Sequence, residues 1–186
     1  MAIELVYETH STTIDNETGI ATGWLEGELS ETGRAQAAEL GRRRRDDGLA
    51  TVFTSDLGRA IETAEIAFAG SGLPVHQDWR LRECNYGERN GKPAAELDEK
   101  ERLRRIDEPF PGGESYRQVV ERTTDFLNDL FPDRDGSRVL LIAHSANRWA
   151  LQHLLLGVPL EEVIGAPFEW QEGWEYSLAG QLPVQG

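Results

Sequence analysis

His10 lies in the polar run Thr9-His10-Ser11-Thr12-Thr13, directly after the apolar stretch Ile3-Glu4-Leu5-Val6-Tyr7. His144 follows Arg138-Val139-Leu140-Leu141-Ile142-Ala143 in the same way. Arg59 comes shortly after a third apolar run, Ala50 to Ser55, and Glu83 follows a fourth, Leu73 to His76. Two imidazoles, a guanidinium and a carboxylate at four strand ends match what phosphoryl transfer needs: a nucleophile, cations for the equatorial oxygens and a proton donor for the leaving group. Taken singly, each has a plain structural use. Either histidine could cap a strand, Arg59 could form a surface ion pair, and Glu83 could be solvated. Their repetition at strand ends is what points to chemistry, since ligands of open α/β sheets bind beyond the carboxyl ends of the strands. His76 and His153 lack that setting and read as structural.

The elements that must position these groups alternate. Ser30 caps a helix over Glu31–Asp46, with Ala35, Ala38, Leu40 and Gly41 as its apolar face. The run Arg42-Arg43-Arg44-Arg45 could be a binding patch but reads better as a solvated helix end, because cations favour a helix C-terminus and Gly48 stops the helix. A second helix opens near Asp56 and runs to about Ala69, and a third spans Tyr116–Leu130 with Val119, Val120, Thr123, Phe126, Leu127 and Leu130 on one face. Arg138–Ala143, apolar without interruption, suits a central strand covered on both faces. A helix follows over Arg148–Leu156, then a last strand near Glu175–Leu178. Gly19–Leu29 reads as a loop, and Asn85–Gly113 as a short lid with helical turns near Ala94–Ile106. The pattern predicts an α/β protein, a three-layer α/β/α sandwich, within one domain over residues 1–186.

Lys and Arg number 19 and Asp and Glu 33 in 186 residues, a formal net charge of −14. That argues against nucleic acid or an anionic membrane as partner, and an anionic substrate would need a local cationic pocket. Cys84 is the only cysteine, so neither a disulfide framework nor a cysteine-based zinc site is expected. The histidines form no helical ligand pair, and no metal or other cofactor is expected. With no signal-like N-terminus and no apolar run of bilayer length, the expected location is cytoplasmic.

Aligned on His10, the segment Thr9-His10-Ser11-Thr12-Thr13-Ile14-Asp15-Asn16 resembles the Arg-His-Gly-Glu-Thr-x-x-Asn motif of the histidine phosphatase superfamily, also called phosphoglycerate mutase-like proteins. Leu29-Ser30-Glu31-Thr32-Gly33-Arg34-Ala35-Gln36-Ala37, Thr54-Ser55-Asp56-Leu57-Gly58-Arg59-Ala60-Ile61-Glu62-Thr63-Ala64, Leu81-Arg82-Glu83 with Tyr86-Gly87-Glu88, and Pro111-Gly112-Gly113-Glu114-Ser115 are similar to further motifs of that family, in its order. The resemblance implies a mostly parallel central sheet. It implies His10 as nucleophile, Arg59 and His144 as ligands of the transferred phosphoryl group, and Glu83 as proton donor. Asn16 would contact the phosphate or orient the loop, and Ser145 and Asn147 would add donors at a helix start. The implied activity is hydrolysis of a small phosphomonoester through phosphohistidine. A mutase is less favoured because the lid region is short. The alternative is a degenerate member that binds a phosphorylated or anionic ligand with little turnover.

The departures are Thr9 for the family arginine and Ser11 for its glycine. Threonine offers one neutral hydroxyl where arginine gives charged, bidentate contact. Arg148 is the candidate replacement cation, with Arg82 a second. Glu8 stands where the family has an apolar residue, needs a partner if buried, and is expected to pair with Arg148. Trp24, Tyr86, Trp149, Phe168, Trp170 and Trp174 are candidates to wall a pocket, with core packing the commoner role. Phe168–Trp174 either covers the site or forms a homodimer contact; the sequence does not decide between them.

Overall fold

A computed structural model describes residues 1–134 and 136–183. Its elements in chain order are β1 (Ile3–Thr9), α1 (Ile14–Thr18), β2 (Ile20–Ala21), α2 (Glu31–Arg44), β3 (Thr51–Thr54), α3 (Gly58–Phe68), β4 (Val75–Gln77), β5 (Lys92–Pro93), α4 (Glu99–Arg104), α5 (Tyr116–Arg134), β6 (Arg138–Ala143), α6 (Ser145–Leu156), α7 (Leu160–Gly165) and β7 (Trp174–Leu178). Five strands form one sheet in the order β4-β3-β6-β1-β7, parallel except for the edge pairing of β1 with β7. The sheet is covered on both faces, giving the expected three layers. Among the described residues no helix is long and apolar enough to cross a membrane.

Side-chain alternation sorts the layers. Ile3, Leu5 and Tyr7 of β1, with Val139, Leu141 and Ala143 of β6, pack with Phe126, Leu127, Leu130 and Leu151 from α5 and α6. Val6, Leu140 and Ile142 point the other way and pack with Leu40, Ala64, Ala67 and Phe68 of α2 and α3. Glu8 has the parity of Val6, so it too faces α2. A third cluster, including Cys84, Tyr86, Phe110, Tyr116, Trp149 and Ile164, sits beneath the polar segment between β4 and α5.

Element boundaries shift from the sequence expectation by a few residues. β1 runs on through Glu8 and Thr9, because parallel pairing with β6 persists to Thr9 opposite Ala143. α6 begins at Ser145 rather than Arg148, since Asn147 Oδ1 accepts from the His144 N–H and caps the helix there. The strand expected at Leu73–His76 forms as β4, where Val52, Phe53 and Thr54 find partners. Two-residue β2 and β5 pair inside what reads as loop. On α2 the inward residues are Gly33, Ala37, Leu40 and Gly41, whereas Ala35 is exposed and Ala38 only half-buried.

Gly33 shows why that inward face is small. A Cβ there would lie 1.9 Å from the Thr12 carbonyl oxygen, which also accepts from the Ser30 N–H. Helix α2 thus presses on the loop that follows His10. Gly33→Ala is expected to destabilise the fold by about 1–3 kcal/mol, since neighbouring backbone must shift, read as a lower urea midpoint with an unchanged slope. An unchanged midpoint would show that the contact is not tight.

Candidate active site

His10 and His144 project from the ends of neighbouring strands. The His10 N–H donates to the Ala143 carbonyl at 2.9 Å, so the pairing of β1 with β6 continues up to the two residues. Their ring centres are 5.0 Å apart. His10 Nδ1 lies 2.8 Å from the Ser11 carbonyl. A carbonyl only accepts, so Nδ1 carries the proton and Nε2 keeps a lone pair. That lone pair faces Arg59 Nε at 3.4 Å. His144 has the converse tautomer. Its Nδ1 accepts from Arg59 Nη2 at 3.3 Å, and its Nε2–H donates to Ser55 Oγ at 2.7 Å. Burial first, then the Arg59 charge, pushes His10 down to about 3 and holds His144 well below the ordinary imidazole value. Both rings are neutral at pH 7.

Arg59 sits in the first turn of α3 and is 2 % exposed. Its Nη1 donates to the Leu25 carbonyl at 2.7 Å and to that of Glu26 at 3.3 Å, and its Nη2 to that of Gly23 at 2.8 Å. The glycine-rich loop before α2 is therefore wrapped around the guanidinium. Thr63, one turn along α3, accepts from the Ser11 N–H at 3.0 Å and donates to the Arg59 carbonyl at 2.7 Å. Gln36 of α2 accepts from the Thr12 N–H at 3.0 Å. Asn16 and Thr13 form a reciprocal cap on α1, each accepting from the other's backbone at 3.0 Å. The loop after His10 is thus held by α1, α2 and α3 together.

Glu83 follows a turn of 3-10 helix, Trp79–Leu81, rather than a strand directly. Its Oε1 accepts from the N–H groups of Cys84 at 2.8 Å and Ala146 at 3.2 Å. Burial raises its pKa, against the opposing pull of those bonds and of Arg59. Its backbone carbonyl accepts from Trp24 Nε1 at 2.7 Å and Arg122 Nη2 at 2.9 Å. Arg122 also donates to Glu114 Oε1 at 3.0 Å, and Glu114 brackets Asn85, its Oε2 accepting from the Asn85 N–H and its own N–H donating to the Asn85 carbonyl, both at 2.9 Å. The Pro111-Gly112-Gly113-Glu114-Ser115 segment therefore serves to place Glu83.

A cavity of about 640 Å³ opens beside His10. Its floor is Glu8, Thr9, His10, Ser11 and Thr12 with His144 and Ser145; Asn16 stands at its margin. Of the expected site residues, Thr9, His10, Ser11, Asn16, His144 and Ser145 line it; Arg59 and Glu83 do not, and Arg59 reaches the centre only through its contacts with the two imidazoles. Arg148 does not line it either. Its guanidinium lies over the rings of Phe168 at 5.1 Å and Trp174 at 5.0 Å, where it props the cavity wall from outside. Arg82 is bound to both carboxylate oxygens of Asp56, at 2.6 and 2.7 Å.

Glu8, 2 % exposed, pairs with the run read as a solvated helix end. Arg44 Nε donates to it at 2.9 Å and Arg43 Nη2 at 3.2 and 3.3 Å. The expected partner Arg148 is replaced because α2 and Glu8 share one face of the sheet, while α6 covers the other. Of the candidate aromatic residues, Phe168 and Trp170 line the cavity, while Tyr86 and Trp149 are core. His153 bonds the Val158 carbonyl, and exposed His76 packs on Phe53. In the sequence Ser55, Thr63 and Gln36 stand out only as members of the family-like motifs, and Arg43 only as part of the arginine run. Ser55, a hydroxyl at a strand end, carried the same positional signal as the histidines.

Residues 9–169 match the histidine phosphatase superfamily (branch 1). A 2,3-bisphosphoglycerate-dependent phosphoglycerate mutase of Staphylococcus haemolyticus is 30% identical, over 97% of this chain and 96% of its own. Among solved structures, Bacillus stearothermophilus YhfR is 28% identical with a TM-score of 0.82, covering 98% of this chain and 95% of that one. A mycobacterial glucosyl-3-phosphoglycerate phosphatase is 29% identical with a TM-score of 0.76, covering 88% and 84%.

Two outcomes are expected from this geometry. Between pH 6.5 and about 3 an unfolded His10 takes a proton that the folded residue refuses. Stability should therefore fall as pH drops through that window, by up to about 1.4 kcal/mol per pH unit for this residue. His10→Gln should remove its share of the slope in urea titrations; an unaltered slope would contradict the neutral imidazole. Glu8→Ala, which leaves Arg43 and Arg44 without their shared acceptor, should cost about 2 kcal/mol in the same assay.

Proposed function

Because the chain belongs to the histidine phosphatase superfamily, we propose that it is a phosphatase, a single domain that hydrolyses a small phosphomonoester through a phosphohistidine on His10. The observation that carries this reading is the imidazole of His10, its Nδ1 proton held by Ser11, its Nε2 lone pair turned toward Arg59, and its ring 5.0 Å from that of His144. Nε2 attacks phosphorus in line with the ester oxygen. The P–O bond breaks, and the leaving oxygen takes the proton of Glu83, whose burial favours the carboxylic acid. Water then attacks the phosphohistidine while the Glu83 carboxylate takes its proton, which releases inorganic phosphate and restores neutral His10. Arg59 and His144 balance charge on the equatorial oxygens. A phosphate dianion beside them favours the imidazolium form of His144, turning Nδ1 from acceptor to donor.

Relatives named as mutases make isomerisation the main rival within the same chemistry. The lid between β4 and α5 holds only β5, α4 and three 3-10 turns, a modest enclosure for retaining an intermediate. A second reading, ligand binding without turnover, draws on a specific feature: Arg59 already donates to three backbone carbonyls and both histidines, and Thr9 adds no cation.

Hydrolysis of p-nitrophenyl phosphate should be lost by about 10³-fold or more in His10→Ala, as expected for removal of a covalent nucleophile. Glu83→Gln should lower turnover of an alkyl phosphate far more than that of p-nitrophenyl phosphate, whose leaving group needs little protonation. Phosphate release from 3-phosphoglycerate without 2-phosphoglycerate would separate phosphatase from mutase. A folded wild type inert toward every ester would favour the binding reading.

A further inference from the structure

The cavity extends well beyond the reacting centre. Gln36, Glu39, Leu40 and Arg43 line one side, and that spacing is a single stripe along α2. Phe168, Trp170 and Glu172 line the opposite side, alternate residues of the segment before β7. Gln36 is bonded to Thr12, two residues from His10, so the stripe starts at the reacting end. Seven residues of helix carry it about 10 Å further, to Arg43. There the Nε–H of Arg43 is buried without a hydrogen-bond partner, and it stands 4.0 Å from Glu172 Oε2, at ion-pair distance but beyond hydrogen-bonding reach. Glu8 does not depend on Arg43 alone, since Arg44 holds it at 2.9 Å.

A buried donor with no acceptor is costly unless something else satisfies it. We propose that this groove is the leaving-group subsite of the phosphatase described above, that it takes an elongated, ring-bearing phosphomonoester, and that Arg43 binds a hydrogen-bond acceptor at the far end of that group. The ring lies between Leu40 and the exposed faces of Phe168 and Trp170. A three-carbon phosphate spans only the His10 end. The replacement of the family arginine by Thr9 fits the same picture, because a short side chain at that point keeps the floor open between the two ends.

This inference rests on the phosphatase reading, and the test separates the two. Phenyl phosphate and 4′-carboxybiphenyl-4-yl phosphate share a reacting end and differ in length and in the distal acceptor. Wild type should favour the long ester in kcat/KM. Arg43→Met and Trp170→Ala, each checked for folding by circular dichroism, should each cut that preference about tenfold through KM, the scale of a lost charged hydrogen bond or of a ring contact. Arg43→Lys should restore part of it. No preference in wild type, or a preference unchanged in both folded variants, overturns the subsite. Should wild type turn over neither ester, the phosphatase reading falls, and calorimetric titration with the long ester still decides the groove. Affinity weakened about tenfold in Arg43→Met supports it, and equal affinity in wild type and variant overturns it.

Discussion

The parallel pairing of β1 with β6, Thr9 opposite Ala143, is the constraint from which the candidate site follows. It brings two strand ends to the same level and sets one histidine just beyond each. Strand side chains alternate, so a slip of one residue would send His10 to the α5 and α6 face, away from Arg59. Both faces guard the register. On one, the Tyr7 hydroxyl donates to the His144 carbonyl from within the core. On the other, α2 and α3 grip the loop after His10 through Gln36 and Thr63. The imidazoles are thus positioned by the most buried part of the protein.

Glu8 shows how a charge in a strand shapes what lies around it. A carboxylate on the inner face of β1 requires cations, and α2 ends above it with two. The segment before β7 closes over the same cluster: Arg44 donates to the Glu172 carbonyl at 3.3 Å, and a Cβ on Gly173, whose φ is +84°, would meet Arg44 at 2.3 Å. Only a glycine lets the chain pass so close. One buried acid therefore links the first strand, the second helix and the wall of the cavity.

Much of this was legible in the sequence, for identifiable reasons. The strands ending near His10 and His144 could be read because apolar runs, broken only by Glu4 in the first, stop abruptly at polar residues, and the α2 N-terminus because Ser30 is a strong cap. Arg59 and Glu83 followed from motif order. What could not be read depends on contacts between distant segments. Nothing local to Arg43 and Arg44 reveals a carboxylate more than thirty residues away. Arg148 looked suited to the pocket by its distance from His144, but its stacking on Phe168 and Trp174 is set by where the last strand pairs. The outward turn of Ala35 was missed because small residues on α2 pointed equally well to several faces, and only Gly33 against Thr12 fixes the rotation.

Arg59 is held in place by carbonyls of the Gly23–Glu26 segment before any ligand arrives. A cation fixed in this way has almost no reorganisation energy left to spend when negative charge develops beside it, because its dipolar surroundings were arranged during folding. It has also exchanged adaptability for that readiness, since a guanidinium held by three carbonyls cannot follow a ligand that binds off-centre. Local melting of that glycine-rich segment would thus free the arginine and blunt the site in one event. The unfolding free energy of a surface loop becomes an upper bound on how faithfully the centre can stabilise charge.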